Sequence, residues 1–98
     1  KVDTLDFDTI ALGRTFTDHM FVCDYEDGQW KNPRITPMGM IPMHPACMAL
    51  HYGQALFEGM KATFSATGTP LLFRPEKNAE RLNFSARRLG MPEFSESV

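Results

Sequence analysis

The sequence has no long hydrophobic run, few cysteines and no excess of charge of either sign. No apolar stretch approaches the roughly 20 residues that a membrane-spanning helix needs, and the acidic N-terminus lacks the apolar core of a signal peptide. Two cysteines do not form a disulfide framework, which indicates a reducing compartment. Ten basic and twelve acidic side chains give a net charge of -2, so we expect neither a nucleic acid nor a membrane partner.

The sequence is also without internal repeats, low-complexity segments and glycine-rich phosphate loops. Its 98 residues allow one small domain or a piece of a larger protein. A hydrophobic content of 43% with 22% charged residues is typical of globular chains and excludes intrinsic disorder. We therefore expect a folded chain with a cytoplasmic location, and a mitochondrial location stays open.

The first half of the chain predicts a β-hairpin. Apolar residues recur with a period of two between Asp18 and Tyr25, which is the spacing of a strand. Asp27-Gly28 suits a tight hairpin turn. Residues 30–36 then form the returning strand, and Pro33 confines it to a sheet edge or a bulge.

The second half predicts a helix, another hairpin and a last helix. The first helix spans Ala46 to Phe57 and ends at Gly59. A second hairpin pairs residues 60–65 with residues 70–74 around the turn Ala-Thr-Gly-Thr.

The last helix begins at Pro75 and is closed by Gly90. Four apolar residues at helical spacing form its predicted buried stripe: Ala79, Leu82, Ala86 and Leu89. Two hairpins with interposed helices predict an antiparallel α+β domain rather than a parallel doubly wound sheet.

One short pattern of histidine and cysteine resembles a zinc site but is better explained by packing. His44, Cys47 and His51 would share one helix face, and imidazole and thiolate are zinc ligands. Pro45 interrupts that helix, however, and no fourth ligand is spaced nearby, so we expect no metal site. Cys23 lies within a predicted strand and is expected to be a structural thiol.

Two further residues have both a structural and a functional interpretation. Tyr52 lies in the middle of the first predicted helix, and its hydroxyl needs a partner if the ring is buried. Arg81 flanks the apolar stripe of the last helix. It is either a solvated side chain or an anion clamp, since its planar guanidinium matches phosphate or carboxylate oxygens.

A segment in the middle of the chain resembles a known enzyme family. Leu50 to Ala62 reads LHYGQALFEGMKA and closely resembles the branched-chain amino acid aminotransferases, which are fold-type IV enzymes dependent on pyridoxal 5'-phosphate (PLP). The resemblance extends from about Gly13 to Phe94. It is carried further by Phe16-Thr17-Asp18-His19-Met20, Asp27-Gly28-Gln29-Trp30, Pro33-Arg34-Ile35, Leu72-Phe73-Arg74-Pro75, Asn78, Arg81-Leu82, Ser85-Ala86, Arg88-Leu89 and Pro92.

The resemblance implies a fold and a place for this chain within it. Residues 1–98 would form most of the small N-terminal α+β domain, which has a largely antiparallel sheet and two main helices. PLP would lie in the cleft between this domain and a larger C-terminal domain, and two subunits would form a homodimer. The family's catalytic lysine belongs to the C-terminal domain and matches none of the four lysines here, so we expect these 98 residues alone to be inactive.

The resemblance also implies roles for four residues. Arg81 matches the arginine that binds the cofactor phosphate. Tyr52 and Phe57 match residues that line the pocket for the branched side chain, with Tyr52 serving the pocket of the second subunit. Leu12 lies where some relatives place an aromatic pocket residue.

The implied reaction is reversible transfer of an amino group between leucine, isoleucine or valine and 2-oxoglutarate. The central motif favours this group over D-amino acid aminotransferases and aminodeoxychorismate lyases. The alternative from a different class is a non-catalytic binding or assembly domain with the same small-domain fold. A lysine in the family's motif further along the gene would favour the enzyme.

Overall fold

The structure is a computed structural model that describes residues 4–11 and 13–95. The chain divides into two compact units, Lys1–Pro42 and Met43–Val98. Its elements follow the predicted order of two strands, a helix, two strands and a helix, and the strands form two separate antiparallel pairs. The predicted α+β class is therefore confirmed. Within the described ranges, no helix has both the length and the apolar character needed to cross a membrane.

The first unit contains a hairpin whose turn follows from its sequence. Strands β1 (His19–Glu26) and β2 (Gln29–Pro37) pair antiparallel along their whole length. Asp27 and Gly28 have φ angles of 51° and 77°, the positive values that a two-residue type I′ turn requires. The rings of Tyr25 and Trp30 meet edge to face across the strands with centroids 5.0 Å apart.

A bulge in this hairpin accommodates the proline of β2. The register shifts between Val22 and Asp24, so that Asn32 and Pro33 of β2 together lie opposite Cys23. A bulged residue is left out of the regular ladder, and the missing N–H of proline costs no pairing there. The prediction that Pro33 lies at a sheet edge or a bulge is confirmed.

The first helix is much shorter than its sequence pattern predicts. Helix α1 spans Met48–Tyr52 instead of residues 46–57. Gly53 follows it with φ 62° and ψ 24°, and its N–H bonds to the Met48 carbonyl. This left-handed conformation, which glycine adopts without a Cβ penalty, ends the helix. The prediction that the helix continues to Phe57 and is terminated by Gly59 is wrong.

The second hairpin is confirmed, with shorter strands than predicted. Strands β3 (Ala62–Phe64) and β4 (Pro70–Leu72) pair antiparallel. The Ser65 hydroxyl oxygen accepts hydrogen bonds from the backbone N–H groups of Thr67 and Thr69, at 3.3 and 3.0 Å. These local bonds give the turn its shape.

The last helix starts and ends where its sequence predicts. Helix α2 spans Pro75–Arg88, with the proline in its first turn. Gly90 has φ 64° and donates its N–H to the Arg87 carbonyl at 3.2 Å. The Met91 N–H reaches the Ala86 carbonyl at 2.9 Å. This pair of bonds is the Schellman pattern that glycine favours at a helix end.

The inner face of α2 differs from the predicted stripe at one end. Ala86 is buried, and Ala79 and Leu82 are half-buried, as the stripe predicts. Leu89 lies beyond the last helical residue and is 42% exposed. Asn83 is buried instead, although its polarity gives no such indication.

Asn83 is buried because its side chain makes two hydrogen bonds to the backbone of Phe94. Its amide nitrogen donates to the carbonyl of Phe94, and its amide oxygen accepts from the N–H of the same residue, both at 2.9 Å. A buried amide is tolerated when its donor and its acceptor are both satisfied. Asn83 therefore fixes the segment after α2 against the helix.

Replacing Asn83 with alanine tests this contact. We expect Asn83→Ala to lower the free energy of unfolding by about 1–3 kcal/mol, because a buried hydrogen-bonded amide is lost. Hydrogen exchange at the amide of Phe94 should accelerate. The exposed Arg88→Ala on the same helix is the control and should change stability by no more than about 0.5 kcal/mol. An unchanged exchange rate at Phe94 in Asn83→Ala would contradict this role.

Candidate functional site

In the second unit, a loop and a helix are joined by an ion pair between Glu58 and Arg81. Residues 53–61 have no regular secondary structure, and Glu58 lies within them. Arg81 is on α2 and donates from Nε to Oε2 of Glu58 at 2.5 Å, while its Nη2 donates to Oε1. Two parallel N–H···O bonds fix the plane of the guanidinium as well as its position.

The carboxylate of Glu58 is held by two further groups. The backbone N–H of Gly59 donates to Oε1 at 2.8 Å, and the side-chain amide of Asn78 donates to the same oxygen at 3.1 Å. Asn78 also donates to the Gly59 carbonyl at 2.9 Å. The side chain of Glu58 is only 12% exposed, so its oxygens depend on these donors.

These donors keep Glu58 ionised. The hydrogen bond from Arg81 is the main cause that lowers the pKa of Glu58 from 4.5 to about 2; partial burial opposes the shift, and Gly59 and Asn78 add to it. The same contact raises the pKa of Arg81 above its ordinary value. Both groups therefore carry full charge at neutral pH.

Arg81 has donors left over on the side away from Glu58. Two of its N–H groups bond to the carboxylate, and among the hydrogen bonds of the described residues none comes from its Nη1. Its side chain is 66% exposed. It lines an open cavity of about 400 Å³ together with Phe57, Glu58, Gly59 and Ser85. A fixed guanidinium edge in an open cavity can bind phosphate or carboxylate oxygens.

The structure brings together two of the four residues predicted to form the site. Phe57 lines the same cavity as Arg81, with 95% of its surface exposed. Tyr52 ends α1, is 78% exposed and does not line this cavity. Its ring is not buried, so its hydroxyl needs no protein partner. Leu12 lies outside the described residues.

The histidines of the zinc-like pattern bond to the backbone instead. His44 and His51 each contact a backbone atom of the Pro45–Ala46 turn, at 3.0 and 2.6 Å. Residues 4–11 and 13–95 contain no group of three or more metal-ligating side chains placed to hold an ion. The thiol of Cys23 is half-buried and donates to the Lys31 carbonyl at 3.3 Å, in keeping with a structural role.

Sequence reasoning assigned no role to Glu58 or Asn78, which complete the site. Glu58 precedes Arg81 by 23 residues and lies outside any helix, so no periodic pattern connects them. The available signal was an acidic residue between Phe57 and Gly59, in a segment of mostly apolar and small residues. Such a residue prompts the search for a cationic partner.

The pKa of Glu58 can be measured directly. In an NMR titration of side-chain carboxyl carbons, we expect a midpoint near 2 in the native protein and a return towards 4.5 in Arg81→Ala. A depressed carboxyl pKa stabilises the fold above pH 4.5, and this contribution is lost as the pH falls towards 2. Arg88→Ala serves as the control, because it removes a positive charge from the same helix without removing either partner of the pair. A midpoint that Arg81→Ala leaves unchanged would show that the ion pair is not its cause.

Several known proteins similar to this chain are named branched-chain-amino-acid aminotransferases or transaminases. No protein-family model matches it. Branched-chain-amino-acid aminotransferase 2 of Bacillus subtilis (strain 168) is 53% identical over 92 residues, which are 93% of this chain and 25% of that protein. Branched-chain-amino-acid transaminase 1 of the same organism is 46% identical over 94 residues, 95% of this chain and 26% of that protein. The mitochondrial branched-chain-amino-acid aminotransferase of Schizosaccharomyces pombe is 41% identical over 90 residues, 91% of this chain and 21% of that protein.

The matched region is most of this chain but only a small part of each similar protein. About nine-tenths of this chain is matched, whereas it spans only about a quarter of the length of these relatives. Identities between 41 and 53% over that stretch confirm the resemblance that the motifs indicated. This chain is therefore similar, over nearly its whole length, to about a quarter of a branched-chain-amino-acid aminotransferase.

Proposed function

We propose that this chain is most of the small N-terminal domain of a PLP-dependent branched-chain amino acid aminotransferase of fold type IV. The full-length protein would be a homodimer that transfers the amino group of leucine, isoleucine or valine to 2-oxoglutarate, reversibly. The observation that carries the proposal is the pairing, in one cavity, of an anchored guanidinium at Arg81 with an exposed aromatic ring at Phe57. The names of the similar proteins supply the reaction.

The donor set at Arg81 fits the phosphate of PLP. A phosphate carries up to two negative charges and accepts hydrogen bonds from several directions. A guanidinium whose plane is fixed loses little conformational freedom when it binds such a group, whereas a free lysine loses more. In the proposal, Arg81 holds the phosphate through the N–H groups that Glu58 does not use. PLP, when bound, supplies the electron sink for the chemistry at the amino acid.

Phe57 supports an apolar substrate in the same cavity. Its ring is almost fully exposed and lies in the lining with Arg81. A branched side chain gains roughly 25 cal/mol for each Å² of apolar surface removed from water, so a flat aromatic wall favours leucine over polar substrates. We propose Phe57 as part of the substrate pocket.

Tyr52 and Leu12 are the two other residues that we propose to bind the substrate. Tyr52 is 78% exposed at the end of α1, where its phenol is free to contact another part of the protein. We propose that it serves the pocket of the second subunit. Leu12, which matches a pocket position in the resemblance, is proposed to contact the substrate's side chain.

The exposure of large apolar side chains supports packing against further protein. Met40, Phe73 and Ile35 are 98, 86 and 74% exposed, and many others exceed one-third. A stable monomer rarely exposes extended apolar surface. The proposed C-terminal domain and second subunit would cover such surface.

The phosphate assignment predicts the effect of changing Arg81. In the full-length protein, Arg81→Ala should weaken PLP binding by about 10- to 150-fold, the value of a charge-assisted hydrogen bond to an anion. Arg81→Lys should recover only part of the affinity, since an ammonium makes no bidentate contact. Spectrophotometric titration with PLP measures both. Arg88→Ala is the control on the same helix, and an affinity of Arg81→Ala within twofold of the native protein would disprove the assignment.

The pocket assignment predicts a selective effect of changing Phe57. Phe57→Ala should lower kcat/KM for leucine by about tenfold or more, because part of the substrate's side chain stays in contact with water. The value for glutamate should fall less, because its carboxylate depends on polar partners. Half-reaction kinetics, corrected for PLP content, measure both values.

A matched substitution separates the pocket from general packing. Phe73→Ala removes an aromatic ring that is 86% exposed and does not line the cavity, so it should affect leucine and glutamate equally. If Phe57→Ala also lowered both values equally and reduced the melting temperature strongly, Phe57 would be a packing residue.

A further inference from the structure

We infer that Glu58 is the positioning residue for Arg81: it holds the guanidinium by its Nε and Nη2 side so that the Nη1 side is presented to an anion. The inference rests on the proposed function, because the anion is taken to be the PLP phosphate. Neither the motif nor the names of the similar proteins assigns this role to Glu58.

The geometry of the pair orients the guanidinium. Nε and Nη2 of Arg81 meet the two oxygens of Glu58, which fixes the rotation of the guanidinium about the end of its side chain. A solvated arginine has many rotamers, and binding an anion would then require ordering them. With Glu58 in place, that ordering is already complete.

Glu58 is itself held in place by neighbouring groups. Its carboxylate accepts from the Gly59 backbone at 2.8 Å and from Asn78 at 3.1 Å, and Asn78 also bonds to the Gly59 carbonyl. Asn78 and Arg81 are three residues apart on α2 and therefore lie on the same side of the helix. The loop and the helix are thus joined at neighbouring points around one carboxylate.

The Glu58–Arg81 pair differs from the other ion pairs that the described residues of α2 make. Arg74 pairs with Glu76 at the start of the helix, Lys77 pairs with Glu80 within one turn, and Arg87 pairs with Glu93 just beyond the helix end. The acid of each of those pairs is over 40% exposed, against 12% for Glu58. Among the ion pairs formed by residues 4–11 and 13–95, only that of Glu58 combines a sheltered carboxylate with a partner that lines the cavity.

The direction of the change in PLP affinity tests the inference, because charge repulsion and positioning by Glu58 have opposite effects on it. Glu58 and a bound phosphate are both negative, so their mutual repulsion weakens anion binding. If Glu58 were merely a counterion, removing its charge would therefore strengthen the binding of PLP. If it positions Arg81, the same change weakens binding.

The experiment is a double-mutant cycle on PLP affinity in the full-length protein. We expect Glu58→Gln to weaken PLP binding on the order of tenfold, within the range of coupling between groups of one hydrogen-bonded network. Combined with Arg81→Ala, it should cause no further loss, because the positioning role of Glu58 requires the guanidinium. Glu93→Gln, which removes the charge of a comparable pair on α2, is the matched control and should leave the affinity unchanged.

A spectroscopic readout accompanies the affinity. The Nε–H of Arg81 should give a protected, slowly exchanging NMR signal in the native protein without PLP. Glu58→Gln should abolish that protection while the amide signals of α2 stay in place. If Glu58→Gln does not fold, Asn78→Ala removes one support of the carboxylate and should give a smaller change of the same sign.

The outcomes separate this inference from the proposed function. If Arg81→Ala leaves PLP affinity within twofold, the proposed phosphate site is wrong and this inference fails with it. If Arg81→Ala weakens binding but Glu58→Gln has no effect or strengthens it, only the positioning role is overturned. Equal losses from Glu58→Gln in the presence and absence of Arg81 would also overturn it, since they would show a general structural effect.

Discussion

The second unit depends on one interaction, the bidentate ion pair between Glu58 and Arg81. The loop that follows α1 has no secondary structure of its own, so its position depends on side-chain bonds to α2. Gln54 reaches the Leu89 carbonyl at 2.8 Å near the C-terminal end of the helix, and Glu58 is bound to Asn78 and Arg81 further towards its N-terminal end. Held at both ends, the loop places Phe57 beside Arg81.

This ion pair orients Arg81 more than it stabilises the fold. Arg81 is two-thirds exposed, and an ion pair with an exposed partner contributes little to folding because water and salt screen it. The two partners nevertheless differ. Glu58 is sheltered and bound by several donors, whereas Arg81 extends into an open cavity with N–H groups to spare. The pair therefore directs positive charge outward, where an anion can reach it.

The features that the sequence predicts well are those decided by neighbouring residues. Asp27-Gly28 fixes a turn because both residues accept positive φ angles, and Pro75 and Gly90 delimit α2 by the same kind of local constraint. The end of α1 was missed because Gly53 and Gly59 are equally able to stop a helix. The choice between them depends on the bonds that the following loop makes with α2, which local patterns do not contain.

Local patterns also fail to predict the roles of residues whose partners lie far along the chain. Asn83 is polar, so its sequence gives no reason to expect burial. It is buried because the backbone of Phe94, 11 residues later, provides a donor and an acceptor for its side chain. Glu58 is likewise explained only by a partner on another element. Arg81, by contrast, is identified through the family resemblance, while its spacing alone favours a solvated side chain over an anion clamp.

Few of the described residues are buried, and the cavity at Arg81 is open. Among the described residues only Ala86 and Asn83 are buried, and each sheet has just two strands, which are marginally stable alone. Hydrogen bonds and ion pairs therefore define the second unit more than a hydrophobic core does. In the proposed enzyme, a further domain would enclose the cavity and exclude water from it. The contact between an anion and Arg81 would then strengthen because the local dielectric constant falls, and a guanidinium already oriented by Glu58 would need no rearrangement to benefit.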